Sequence, residues 1–351
     1  MTDVDPLLSV DDVHAHIATA DGTVRAVDGV SFDVQPGETV CLVGESGSGK
    51  TLTCDSITGL ISSSQVDVSG SVTFEGEELL SASESRLRSI RGNRIAYLFQ
   101  NAQNALDPVY TVGDQLVEAV TFHRDVSDEA ARERAIDLLQ TVGLSRPAER
   151  LDAYPHEFSD GMRQRVLIAI ALAAEPDLLI ADEPTSALDV TIQSRIIDLI
   201  DDLRRERALT LLLVTHDLRV VASLADRVVV MYAGNVVERG PVEAVLERPG
   251  HPYTQSLFRS FVGQGGTDGS VGRTETVGRN EPIPREGCRF RRECPHAVEA
   301  CRADEPPFEP VAGVEDHRAA CIYHGDRKDS RTVLDTAPDL GASGEGVTED
   351  D

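Results

Sequence analysis

Apolar and polar residues alternate from position 7 to 43, interrupted by turn signals at Ala20-Asp21-Gly22 and Gln35-Pro36-Gly37. Period-two alternation broken by glycine and proline predicts strands of an open sheet. Residues 39–43, Thr-Val-Cys-Leu-Val, are apolar without a polar interval, the pattern of a strand buried on both faces. A glycine-rich turn follows, then a helix-length stretch to about residue 61, a further strand and helix, and a strand-like run at 94–100. From 111 to 143 the apolar spacing becomes helical, with Ser127 placed as an N-cap ahead of two acids and Gly143 as a C-cap. Strand-like runs return at 177–181, 209–214 and 228–231, with helices between them. This alternation predicts a mostly parallel α/β sheet with a helical insert at about residues 101–174.

Beyond residue 247 the pattern weakens. Residues 263–287 are rich in glycine, threonine and charge, and a segment with four of the six cysteines follows. Residues 326–351 are acidic without periodicity and read as a disordered, solvated tail. The expected division is therefore 1–247, 248–325 and 326–351. No internal repeat is visible. The 351 residues, 40% of them apolar, suit about two domains. The longest apolar run, residues 166–174, is far short of the roughly 18 residues of a membrane span, and the acidic start leads into no apolar run. The chain therefore reads as cytoplasmic.

Charge narrows the partners. The net charge is −27, and Lys50 and Lys328 are the only lysines. Such a field repels nucleic acid and anionic lipid, so neither is expected as a non-specific partner. Codon bias toward arginine accounts for the missing lysine but not for 60 acidic residues, so the balance points to a salt-loving source.

The run Gly44-Glu45-Ser46-Gly47-Ser48-Gly49-Lys50-Thr51 satisfies G-x4-G-K-[ST] between a buried strand and a helix. Glycines let successive backbone N–H groups turn inward as an anion nest, and the helix N-terminus adds about half a positive charge. Lys50 is placed to reach the β and γ phosphates of a nucleotide, and the Thr51 hydroxyl to hold Mg²⁺. Arginine does not replace a compact ammonium there, and one of the two lysines sits at this position. Hydrolysis needs a second metal contact and a group that orients water. The strand run Leu178-Leu179-Ile180-Ala181 ends in Asp182 and Glu183, placed for Mg²⁺ and for the lytic water.

With Gln100 after a strand, Phe158-Ser159-Asp160-Gly161-Met162 at a helix start, Ala181-Asp182-Glu183-Pro184-Thr185-Ser186-Ala187-Leu188-Asp189, and Val214-Thr215-His216-Asp217, the order and spacing resemble those of ABC-type ATPases over about residues 7–262. The resemblance implies an α/β P-loop NTPase fold with an antiparallel β subdomain, a helical signature subdomain and a small cysteine-containing C-terminal extension. It also implies that Gln100 senses Mg²⁺ and water, that His216 contacts the γ-phosphate, and that Asp189 crosses to a partner. Ser159 and Gly161 then complete the ATP site of an opposing subunit. Two features depart from the family pattern. Asp160 stands where glycine is usual, and we expect it to point away from phosphate. Residues 1–31 hold no aromatic side chain, so Ile17 and Val24 are the expected apolar contacts to adenine.

A DNA-repair ATPase needs a long coiled coil between the two phosphate motifs, and a translation-type ABC protein needs two cassettes; neither is visible. The transporter reading remains. Tyr154-Pro155-His156-Glu157-Phe158-Ser159 and Glu247-Arg248-Pro249-Gly250-His251-Pro252-Tyr253-Thr254 are similar to segments of dipeptide, oligopeptide and nickel importer ATPases. The implied partners are a second, often non-identical cassette, two membrane permease subunits and an external solute-binding protein, with this chain on the cytoplasmic face. Peptides are the expected solute, with nickel or another small solute as the alternative.

Cys288, Cys294, Cys301 and Cys321 lie within 34 residues and match no zinc ribbon. Cytoplasmic thiols stay reduced, so the residues leave open a soft metal centre or four unligated cysteines. The resemblance implies a [4Fe-4S] cluster; a zinc site remains the alternative, with His296 and His317 as spare ligands. Cys41 and Cys54, flanking the glycine-rich turn, are expected to be core.

Overall fold

The computed structural model describes residues 5–20, 22–61, 63–100, 105–186, 188–262, 283–284, 286–325 and 329–337. The first alternating runs form an antiparallel pair, β1 (Leu8–Thr19) and β2 (Gly22–Val34). β3 (Thr39–Val43) is buried at all five positions and runs into the glycine-rich turn and α1 (Lys50–Thr58). β4 (Val66–Phe74) returns to β1, and the short β5 (Glu77–Glu78) completes a four-stranded sheet of order β2-β1-β4-β5.

After α2 (Glu84–Ile90) and β6 (Ile95–Leu98) comes the helical insert: α3 (Val112–His123), α4 (Asp128–Thr141), the short α5 (Pro147–Arg150) and α6 (Asp160–Ala171). Its boundaries follow local chemistry. Thr111 and Asp114 form a capping box on α3, and Ser127 accepts the Ala130 N–H at the start of α4. Gly143, just beyond the α4 C-cap, takes the left-handed conformation at φ 72°.

β7 (Leu178–Asp182), α7 (Val190–Arg207), β8 (Thr210–Thr215), α8 (Leu218–Leu224), β9 (Arg227–Tyr232), β10 (Asn235–Pro241), α9 (Val242–Glu247) and α10 (Pro252–Val262) follow. β6, β7, β8, β3 and β9 are parallel neighbours in that order. Alternate residues of β3 explain its unbroken apolar run. Cys41 and Val43 face the core shared with the helical insert, while Val40 and Leu42 face the core under the four-stranded sheet. Cys41 and Cys54 are fully buried, in agreement with their reading as core.

The C-terminal extension joins the cassette's own sheet. Among the described residues, β11 (Phe308–Val311) and β12 (Val314–Ala320) add to its edge, giving the order β11-β12-β10-β9-β3-β8-β7-β6. β12 pairs with β10 through Glu238 opposite Ala319 and Arg239 opposite Arg318. Buried Glu238 ties the junction, accepting the Gly250 and His251 N–H groups at 2.6 and 2.8 Å and lying 2.7 Å from His317 Nε2.

The expected tail needs correction over residues 329–337. A short helix, α11 (Arg331–Leu334), docks there because Val333 is fully buried and its carbonyl accepts from Gln255 Nε2 at 3.0 Å. A single buried apolar side chain in an acidic tail leaves no period to read. Residues 326–328 and 338–351 of the expected tail lie outside the described residues. Among the described residues no helix is long and apolar enough to cross a membrane.

Candidate functional site

The turn between β3 and α1 is held by contacts that only glycine permits. A Cβ on Gly44 would lie 2.3 Å from the Met231 carbonyl, and one on Gly49 2.4 Å from that of Ala26. Gly49, at φ 104°, caps α1. Lys50 is 5% exposed and donates to the Gly44 and Glu45 carbonyls, both at 2.8 Å, so its ammonium lies folded into the loop. Burial lowers its pKa, and the nearby Glu183 and Asp182 carboxylates oppose that shift. Of the loop residues named from sequence, Glu45, Ser46, Gly47 and Thr51 are exposed at its mouth, while Gly44 and Ser48 are buried.

The end of β7 delivers the two carboxylates. Asp182 is 1% exposed, and its Oδ1 is buried without a hydrogen-bond partner. Burial raises its pKa, with Glu183 adding repulsion, while a hydrogen bond with Thr51 works the other way. An orphaned carboxylate oxygen beside a hydroxyl suits a hard divalent cation such as Mg²⁺. Glu183 sits at φ 45°, outside the regions a side chain ordinarily prefers, and its N–H is fixed to the Val214 carbonyl at 2.9 Å. That backbone places its carboxylate between Gln100 Nε2 at 2.8 Å and His216 Nδ1 at 3.3 Å. His216 and Gln100 hold the Glu183 carboxyl below its ordinary range, and Glu183 raises the His216 imidazole in return. Strand ends thus bring Gln100, Glu183 and His216 together, beside Lys50 and Asp182.

The remaining named residues gather elsewhere. Ser159, at the N-cap of α6, is exposed, and its hydroxyl makes no cap bond to its own helix. A Cβ on Gly161 would lie 2.6 Å from Ile192 Cγ2, so the α6 start packs on the α7 start. Asp189 is the α7 N-cap, accepting the Ile192 N–H at 3.0 Å. Asp160 is exposed and paired with Arg163 at 3.2 Å. Ile17 and Val24 face each other across the β1–β2 hairpin, with Val24 half exposed.

Cys288, Cys294, Cys301 and Cys321 all line one pocket, together with His251 and Phe290, and all four are free of disulfides. Burial raises the thiols of Cys288, Cys294 and Cys321, Cys294 to about 11 and Cys321 to about 12. The two histidines considered as spare ligands are engaged elsewhere: His317 with buried Glu238, and His296 Nε2 3.2 Å from Thr336 Oγ1. Sequence reading missed Tyr253, which joins this pocket to the nucleotide loop. Its ring packs on Phe290 at 5.6 Å, and its hydroxyl accepts the Glu45 N–H at 2.9 Å. Tyr253 lies in the importer-like segment 247–254, but a contact across 208 residues leaves no local signal.

Residues 27–186 match the ABC transporter family, and residues 237–301 match the oligopeptide/dipeptide transporter C-terminal region. The chain is 44% identical over 304 residues to the oligopeptide transport ATP-binding protein AppD of Bacillus subtilis, covering 86% of this chain and 92% of AppD. It is 42% identical to the dipeptide transport ATP-binding protein DppD of Escherichia coli, covering 90% and 96% of the two chains. Among solved structures, the ATP-binding cassette MJ0796, dimeric in a post-hydrolysis state with ADP and Pi, superposes with a TM-score of 0.60 at 28% identity, covering 67% of this chain and 98% of that one. Likeness over nearly the full length of these relatives leads to one conclusion: the chain belongs to the ABC transporter ATP-binding proteins, in the oligopeptide/dipeptide branch, and is an ATPase.

Proposed function

We propose that the chain is one of two non-identical cassettes that power import of di- or oligopeptides. It works at the cytoplasmic face of the membrane through two permease subunits and receives solute from an external binding protein. The hydrolytic part rests on one observation: Glu183 is held between Gln100 and His216 beside the orphaned Asp182 oxygen. The peptide part is supported by the C-terminal region match and by the relatives' transport of oligopeptides and dipeptides.

In this reading, backbone N–H groups from Gly44 to Thr51 and the Lys50 ammonium hold the phosphates. Asp182, Thr51 and Gln100 hold Mg²⁺, which when bound offsets charge on the β and γ phosphate oxygens. The ionised Glu183 orients water toward the γ-phosphate, giving ADP and phosphate, and His216 contacts the transferred group. Ile17 and Val24 meet the adenine. Ser159 and Asp189 are exposed away from the chain's own catalytic carboxylates, with Gly161 buried against Ile192 between them, an arrangement that supports their completing the nucleotide site of the opposing cassette. ATP binding then closes the pair and hydrolysis reopens it, moving the permease.

The cysteine pocket fits a [4Fe-4S] cluster better than zinc. One zinc would bring its sulfurs within about 4 Å of each other. Among the described residues, no three of these thiols lie within 4.8 Å of one another, although all four line one pocket. A bound cluster would also turn the raised thiols into thiolates. The excess of acid further supports a protein suited to high salt.

The test is purification of the native complex under anaerobic conditions. Two permease subunits, a second cassette and ATPase activity stimulated by a peptide-loaded binding protein are the expected result. Stimulation by nickel or another solute alone would overturn the peptide assignment. Zinc without iron in the purified chain would overturn the cluster.

A further inference from the structure

β1 and β2 bring together three side chains that the nucleotide chemistry leaves unused. His14 Nδ1 and His16 Nε2 lie 3.0 and 3.2 Å from the same atom, Asp28 Oδ1. The two histidines are two residues apart on β1 and share a face, and Asp28 stands opposite His14 in the β1–β2 register. Among the described residues, this is the only group of three such side chains with ligand atoms all within 4.8 Å of one another. The other oxygen, Asp28 Oδ2, is bonded by Arg289 and lies 3.5 Å from Arg25. Oδ1 is therefore left to the imidazoles.

The imidazole nitrogens can serve as ligands. A neutral imidazole carries one N–H and one lone pair. His14 sets both ring nitrogens against carboxylate oxygens, Nδ1 on Asp28 and Nε2 at 3.1 Å from Asp12. With its proton on the Asp12 side, the Nδ1 lone pair faces the Asp28 oxygen, and His16 adds a second nitrogen at the same point. A cation among the three atoms would take the lone pairs of both imidazoles and leave the remaining His14 N–H to Asp12.

The spacing favours the cation. Metal bonds of about 2.0–2.2 Å to nitrogen and oxygen, at angles of roughly 95–110°, separate adjacent ligand atoms by about 3.0–3.5 Å. The observed 3.0 and 3.2 Å fall in that range. Asp12 then serves as the carboxylate that fixes the tautomer of a ligating histidine. The neighbouring guanidiniums are partly offset, since Glu305 lies 3.6 Å from Arg289. The imidazoles are 28% and 30% exposed, so an ion and its waters have access.

We propose that His14, His16 and Asp28 form a site for a divalent transition cation of the zinc or cobalt type, bound by two imidazoles and one carboxylate with water completing the shell. The site stitches β1 to β2 one residue from Ile17. It is separate from the Mg²⁺ position and from the cysteine pocket.

Cobalt(II) titration of the untagged, nucleotide-free chain tests this, followed by visible absorption and calorimetry. The expected result is one equivalent of cobalt with d–d bands and without the sulfur-to-cobalt charge-transfer band of cysteine ligation. His16→Ala and His14→Gln should each weaken that equivalent at least tenfold. His14→Gln keeps a hydrogen-bonding side chain against Asp28, so it carries the test if His16→Ala does not fold. Absence of a sulfur-free equivalent, or one that survives His14→Gln at unchanged affinity, would overturn the proposal.

Discussion

Arg289 reaches from the cysteine segment to the first hairpin, where it bonds Asp28 and donates to the Ala233 carbonyl at 2.6 Å. Replacing it by methionine keeps much of the stem and removes the charge. Burial alone would raise the Asp28 carboxyl, but Arg289, with His14 and His16, outweighs it and holds the pKa at about 2 against an ordinary 3.8. At about 1.36 kcal/mol per pH unit, that displacement is worth about 2.5 kcal/mol of stability at neutral pH. The side chain is 9% exposed, so solvent screens little of it. Arg289→Met should therefore lose about 2 kcal/mol, or ~3 °C in melting temperature for a chain of this length.

The sign with pH follows from the depressed pKa. The contribution is complete above 3.8 and is lost as pH falls through about 2. The gap between wild type and variant should thus hold from pH 7 to about pH 5 and narrow by about pH 3. Urea unfolding followed by circular dichroism suits the measurement, because the chain has no tryptophan. A gap below about 0.5 kcal/mol at pH 7, the scale of a neutral surface change, or a gap that widens in acid, would refute the reasoning.

Other outcomes are equally specific. His216, raised by Glu183, should titrate by NMR above 6.5 in the nucleotide-free chain and fall back in Glu183→Gln; the ion pair's contribution is full below 6.5 and fades as pH climbs through the raised value. Titration at or below 6.5 in the wild type would contradict the observed pairing. Gly49→Ala drives a Cβ to 2.4 Å from the Ala26 carbonyl and should weaken Mg-ATP binding at least tenfold with unchanged circular dichroism; unchanged affinity would show that the loop yields. Tyr253→Phe removes the acceptor for the Glu45 N–H and should raise the ATP Kd about fivefold, for a bond worth about 1 kcal/mol. Asp160→Gly should alter turnover in the assembled complex less than tenfold, because Asp160 is already turned to Arg163; a larger rise would mean that it repels phosphate.

The sheet was most legible where burial on both faces forced an unbroken apolar run. Residues 39–43 match β3 end to end, and the runs at 209–214 and 228–231 fall within one residue of β8 and β9. The nucleotide loop and the Asp182-Glu183 pair were equally open to reading, because their chemistry demands particular residue types at fixed spacing. Long-range assembly was not. β12 joins β10 through two residue pairs and the buried Glu238, and neither strand's local pattern names its partner. Arg289 and Asp28 are 261 residues apart, so an arginine in a cysteine-rich stretch gave no sign that it secures the first hairpin. The convergence of four cysteines was suggested by their number, but their common pocket and its contact with Tyr253 required the fold.

The most direct test of the central claim is ATP binding and turnover of Glu183→Gln in the assembled transporter. The substitution keeps the size of the side chain and its place between Gln100 and His216 while removing the charge that orients water. The account predicts Mg-ATP binding close to wild type, with hydrolysis at that site reduced at least a hundredfold, the upper part of the typical range for losing a general base being larger still. Turnover at the wild-type rate, with binding intact, would contradict it.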